Sequence, residues 1–310
     1  MSSGERSLTV FHQVYTPEVL AAIAKKANSD KGQNVLHRML IADNDPLRID
    51  RVHFDKCLRF AKQNDGIDAD RLARLREPES YAVWKSVHNE LLVPYFFTKV
   101  FKLEVKFITN AKERGLGDFQ IIDPEGIIIV EVKTPRGDDP NLEGPKESMH
   151  AGLDEQLLRP AFLDGARQLR RGNKNLIVIC TQLCAWIHDW RPFEKLFYGQ
   201  EIITAAFDTK LGRVVEPVKT KFIPDGELNK YRKKRFTRIS AIASFRNDIY
   251  CGSPFSEEAQ QIQFAVLHNY HALCPISPNL FSEVEQFIPD RKKGSIEHIN
   301  KEKNAVLIEG

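Results

Sequence analysis

Asp118, Glu131 and Lys133 lie in the stretch GLGDFQIIDPEGIIIVEVKTPRG, residues 115–137, where two apolar runs meet at a turn and both end in charge. Asp123-Pro-Glu-Gly126 has the composition of a β-turn, with Asp first, Pro pre-set at the second position and Gly fourth. FQII and IIIV therefore form a hairpin. If Asp123 pairs with Gly126, the residue opposite Asp118 is Glu131, with Cβ atoms about 4.5–5.5 Å apart. Side chains alternate along a strand, so Lys133 shares a face with Glu131, while Val130 and Val132 point the other way. Like charges placed opposite each other destabilise a sheet unless a cation lies between them. A divalent metal is the simplest such cation, and a small set of hard oxygen ligands suits Mg²⁺ or Mn²⁺ better than zinc. Lys133 would then hold or deprotonate an attacking water, or stabilise charge on a phosphate oxygen. The chemistry implied is phosphodiester hydrolysis.

Gly117-Asp118 opening one strand and Glu131-Val132-Lys133 closing the next resemble the PD-(D/E)XK nuclease superfamily, the restriction-endonuclease-like proteins. The resemblance implies that Asp118 and Glu131 bind the metal, that the Val132 carbonyl is a further ligand, and that Lys133 serves the water. It covers residues 80–182, and the chain departs from the family pattern in having Gly117, not Pro, before Asp118. The implied fold is α/β: a mixed central sheet flanked by helices, with an N-terminal helical region and a C-terminal α+β extension.

An acid-X-Lys triplet is common in a chain with 42 acidic and 45 basic residues, and alone would be a solvated edge. Its weight comes from the elements around it. YAVWKSVHNELLVPYFF, 81–97, is expected to be a helix stopping near Pro94, with Val83, Val87 and Leu91 on its buried stripe. Glu90 lies at the edge of that stripe, and the resemblance suggests a first-helix Glu as a further metal ligand, with Glu79 as rival. KLEVKFI, 102–108, alternates as a strand. Downstream, 151–171 is expected to be a helix interrupted at Pro160, and NLIVICTQ, 175–182, a buried parallel strand. A helix returning to a parallel strand is the expected crossover. Gln168, preferred over Gln156, and Arg167 fall in the last turns of that helix, where family members often carry a Gln or Lys near the site.

Three regions follow: helical at 1–78, a nuclease core at 79–207, and an extension at 208–310 with strands at 237–245 and 261–268. Net charge is only +3, so phosphate contacts must be local. KYRKKRFTR, 230–238, supplies Lys230, Arg232, Lys233, Lys234, Arg235 and Arg238 with interleaved aromatics, and Arg136 follows the active hairpin. RKKG at 291–294 is a weaker echo. His268 and His271 stand three apart, but nothing nearby completes a zinc set, and a strand-end hydrogen bond accounts for His268 better. Five cysteines form no CxxC pair, no run approaches the length expected of a membrane span, and the stretch MSSGERSLTV lacks a secretory pattern. These features fit a reducing cytoplasm. The expectation is a Mg²⁺- or Mn²⁺-dependent endonuclease acting on DNA, with RNA and a homodimeric state left open, in restriction, repair or defence. The alternative is a nucleic-acid-binding module on the same fold without turnover.

Overall fold

The computed structural model describes residues 8–27, 31–41, 51–77, 80–109, 116–135, 153–181, 191–208, 213–223, 226–228, 236–247, 259–269, 271–290, 295–299 and 306–309. Arg136 and five of the basic residues, Lys230, Arg232, Lys233, Lys234 and Arg235, lie outside them, as do Glu79 and the 291–294 cluster.

Five helices come first: α1 (Thr9–Val14), α2 (Pro17–Ala27), α3 (Lys31–Ile41), α4 (Arg51–Gln63) and α5 (Ala69–Arg76). Thr16 Oγ1 accepts from the Val19 amide at 3.4 Å, and Asp68 caps α5 by accepting from the Arg71 amide at 2.7 Å. The Asp55 carboxylate, fully buried on α4, accepts the Val10 and Phe11 amides at 2.8 and 2.7 Å. The orphan donors of α1 are thus satisfied from 44 and 45 residues away.

Helix α6 (Tyr81–Val100) does not stop at Pro94 but runs six residues past it. An interior proline costs about 3 kcal/mol. Trp84, Leu91, Leu92, Phe96 and Phe97 are wholly buried on this helix, each contributing about 1.5–3 kcal/mol, so packing outweighs the lost hydrogen bond. Helix α7 (Leu153–Gln168) likewise continues through Pro160, with Leu158, Phe162 and Ala166 buried beneath it. In both, tertiary burial overrides the local breaker.

The sheet is mixed. Its order is β1 (Glu104–Phe107), β2 (Phe119–Asp123), β3 (Gly126–Lys133), β4 (Lys174–Cys180), β7 (Ala241–Asn247), β8 (Ala259–His268), β9 (Glu285–Asp290) and β10 (Ser295–Ile299), with β11 (Val306–Glu309) also on β8. Strands β3, β4 and β7 are mutually parallel, and α7 makes the crossover from β3 to β4. Helix α8 (Arg191–Phe197) follows β4, and β5 (Gln200–Asp208) with β6 (Arg213–Ile223) forms a separate two-stranded sheet. The strands after residue 240 extend the central sheet.

Helices cover both faces. Ile128, Val130 and Val132 pack with α1 to α6, while Ile129, Ile177 and Ile179 pack with α7 and α8. One apolar core thus joins residues from Leu8 to Val284. The chain is an α/β protein with a single mixed sheet between helical layers.

Candidate active site at the end of strands β2 and β3

The hairpin has the register that its turn dictates, with Asp123 opposite Gly126 and Phe119 opposite Val130. Beyond Phe119 the ladder changes. The Asp118 amide donates to the Val130 carbonyl at 2.8 Å, and the Asp118 carboxylate accepts the Val132 amide at 2.7 Å. A side chain therefore replaces a backbone acceptor, which holds the Asp118 carboxylate against the end of β3. Gly117 makes this possible. Its φ is +68°, and a Cβ there would lie 2.6 Å from the Val130 carbonyl oxygen. Proline, with φ fixed near −65°, cannot adopt this conformation at 117.

Glu131 is 3% exposed and pairs through Oε1 with the Lys133 ammonium at 2.8 Å. Lys133 Nζ also meets Asp164 of α7 at 2.6 Å. Burial pushes the Asp118 carboxyl well above its ordinary pKa, reinforced by the Glu131 and Glu90 charges against the Val132 amide and Arg71. Burial likewise raises Glu131, only partly opposed by Lys133. For Lys133, burial works against the charge, but Glu131 and Asp164 more than offset it and hold its pKa above the usual value. The Asp118 side chain keeps 19% exposure, so one side of the carboxylate remains open.

Glu90 is buried beside this group, as its place on α6 suggests, but its oxygens already have partners. Arg71 Nε donates to Oε2 at 3.2 Å, and Arg74 reaches Oε1 and Oε2 at 3.1 and 3.2 Å. Arg71, 4% exposed, also donates to the carbonyls of Gly66, Ile108 and Asp118. Its Nη2 lies 3.8 Å from Asp118 Oδ1. Side-chain cations thus supply part of the compensation that the sequence assigned to a metal alone. On the same helix Asn89 donates to Thr134 Oγ1 at 2.9 Å, tying α6 to the residue after Lys133.

Gln168 does not touch the three central groups: it is exposed, and its amide donates to Asp164 at 3.0 Å. Arg167 is exposed on the same turn. Arg238 precedes β7, whose Ile242 is level with Ile177 of β4 and hence with Glu131, so it sits toward the sheet end opposite Lys133. Burial and the neighbouring Arg171 lower its pKa. His268 bonds Gln286 at 2.8 Å inside the core, and the Asn269 amide donates to two backbone carbonyls, a structural use of this segment.

Arg71, Arg74, Asn89 and Asp164 were not anticipated. The i, i+3 pair Arg71 and Arg74 behind the Asp68 cap, and Asp164 one turn before Gln168, were the available signals. No group of three or more His, Cys, Asp or Glu is set up as metal ligands among the described residues. Two carboxylates and the Val132 carbonyl remain as donors, with Glu90 held by arginines. That set, all oxygen and incomplete without water, fits a hard divalent cation, and two neighbouring carboxylates pushed toward the proton have reason to take one. No helix among the described residues is long and apolar enough to cross a membrane. Comparison with protein-family models, curated proteins and solved structures finds no match to this chain.

Proposed function

We propose that this protein is a metal-dependent nuclease of the restriction-endonuclease-like fold, hydrolysing phosphodiester bonds of DNA at Asp118, Glu131 and Lys133. The observation that carries the reading is the convergence of a part-exposed Asp118 and a buried Glu131 at the ends of β2 and β3, each pushed toward the protonated form chiefly by burial, with the Lys133 ammonium 2.8 Å from Glu131. Burial of two repelling carboxylates costs the fold stability, which favours a functional role for the pair. Mg²⁺ or Mn²⁺, held by Asp118, Glu131 and the Val132 carbonyl, would supply Lewis-acid chemistry toward a phosphate oxygen and a water. Lys133 places a cation on the same face and orients the water or meets charge developing on phosphate. Asn89, through Thr134, fixes the end of β3 on which that lysine sits. Arg71 of α5, itself held by Glu90, donates to the Asp118 carbonyl, so that helix is part of the site. Phosphate contacts along the substrate are assigned to the 230–238 segment, Arg136 and Arg167, and a reducing cytoplasm, which the cysteine pattern fits, is the compartment we assign.

One observation favours the alternative, a nucleic-acid-binding protein without turnover: Glu90, Glu131 and Asp164 all have cationic side-chain partners. The two readings separate in one experiment. Purified protein is incubated with supercoiled, linear and single-stranded DNA in Mg²⁺, with and without EDTA. Cleavage that EDTA stops supports the nuclease; tight binding without cleavage in either Mg²⁺ or Mn²⁺ supports the module.

A further inference from the structure

Lys133 is held from two sides by carboxylates of different standing. Glu131 is buried in β3 and is the group assigned to the metal; Asp164 stands on α7 with its side chain 56% exposed. Asp164 Oδ2 also accepts the Gln168 amide at 3.0 Å, one turn further along the helix. The backbone beneath Asp164 is fixed closely to the lysine. At Gly165 a Cβ would lie 3.3 Å from Ile177 Cγ2 and 3.4 Å from Lys133 Cγ, so α7 is seated on the strands at this level. Gln168, Asp164, Lys133 and Glu131 form one chain of contacts leading into the site.

We propose that Asp164, braced by Gln168, is a positioning residue that keeps the Lys133 ammonium in place once Glu131 has turned to other ligands. The inference rests on the nuclease reading of Lys133. A carboxylate shared between an ammonium and a divalent cation gives up much of its hold on the ammonium, and a lysine has four flexible carbons. A second anchor on a rigid helix keeps the charge aimed where phosphate would lie. It also gives Gln168 a role through Asp164, without contact with the reacting atoms.

The test uses the full chain with Asp164→Ala, Asp164→Glu and Gln168→Ala. Because the carboxylate is more than half exposed, the pair contributes little to stability and the variants keep the fold. In Asp164→Ala, kcat falls about 10- to 100-fold from loss of positioning, while KM for DNA and the Mg²⁺ concentration for half-maximal rate stay within about twofold. Asp164→Glu regains most of the loss, and Gln168→Ala loses less than Asp164→Ala. In metal-free protein carrying Glu131→Gln, which takes away the other carboxylate, nitrogen-proton correlation NMR reads the Lys133 ammonium directly: its signal, ordered while Asp164 is present, is lost when Asp164→Ala is added. An unchanged rate in the folded alanine variant overturns the proposal, and a raised Mg²⁺ requirement does so too, by making Asp164 a ligand. Should the wild type not cleave DNA, the nuclease reading fails, while the ammonium signal still decides whether Asp164 orders Lys133; an unchanged signal in the variant refutes the positioning role.

Discussion

Replacing Asp118 by Asn separates function from folding, because the substitution keeps an oxygen to accept the Val132 amide and removes only the charge. In the metal-free protein burial, Glu131 and Glu90 oppose that charge, and Arg71 favours it. If Arg71 cancels one of the two carboxylates, one repulsion remains. Across a cross-strand spacing of about 5 Å, with an effective dielectric of about 20, it amounts to about 3 kcal/mol. Water on the open side of the carboxylate reduces this to about 1–3 kcal/mol. Asp118→Asn should therefore stabilise the metal-free protein at pH 8, raising Tm by about 2–6 °C for a chain of this size. The sign follows from linkage. A carboxyl whose pKa is raised in the folded state binds more protons folded than unfolded, so metal-free stability declines as pH rises from the ordinary carboxylate range toward neutrality. The variant should lose part of that decline. Mg²⁺ at about 100 times its Kd would stabilise the wild type by about 2.7 kcal/mol and the variant much less. Differential scanning fluorimetry at pH 5.5 and 8, with EDTA or Mg²⁺, reads all of this. A fall in Tm for the metal-free variant at pH 8 would refute the reasoning, since the charge would then be holding the fold.

Lys133→Ala should retain Mn²⁺ binding by titration calorimetry and lose cleavage; an unfolded variant, or one cleaving at the wild-type rate, would assign the lysine a structural or bystander role. Glu90→Gln weakens the charge-assisted bonds of Arg71 and Arg74 while Asp68 and Asp118 stay within 3.5 and 3.8 Å of Arg71, and should cost about 1–3 kcal/mol in urea unfolding, which a gain in stability would contradict. Neutralising Lys233, Lys234 and Arg235 should weaken binding equally for unrelated DNA sequences and lower the log affinity against log salt slope by about 0.9 per lost contact. An unchanged slope in the folded triple variant returns that segment to a solvated face.

What the sequence made readable was local. Asp123-Pro-Glu-Gly126 fixes the hairpin register, and period-two alternation then places Glu131 and Lys133 together, because turn chemistry and pleat act over a few residues. The prolines at 94 and 160 misled for the opposite reason: their cost is local, whereas the burial that overcomes it comes from the sheet and the other helices. Glu90 was placed in the right neighbourhood by helical spacing, but its partners Arg71 and Arg74 sit 19 and 16 residues away in another helix. Their i, i+3 spacing puts those two arginines on one helix face, but only the packing of α5 on α6 brings that face to Glu90. Asp164 was hidden in the same way, since only the close seating of α7 at Gly165 brings it to Lys133.

The proposed role of Asp118 and Glu131 is to hold together the cation for phosphodiester hydrolysis. Single-turnover cleavage of supercoiled plasmid across a Mg²⁺ titration, with wild type, Asp118→Asn and Glu131→Gln side by side, tests it most directly. The wild type should show Mg²⁺-dependent cleavage that EDTA abolishes, and neither folded variant should cleave. Wild-type rates in either variant, or cleavage undiminished by EDTA, would contradict it.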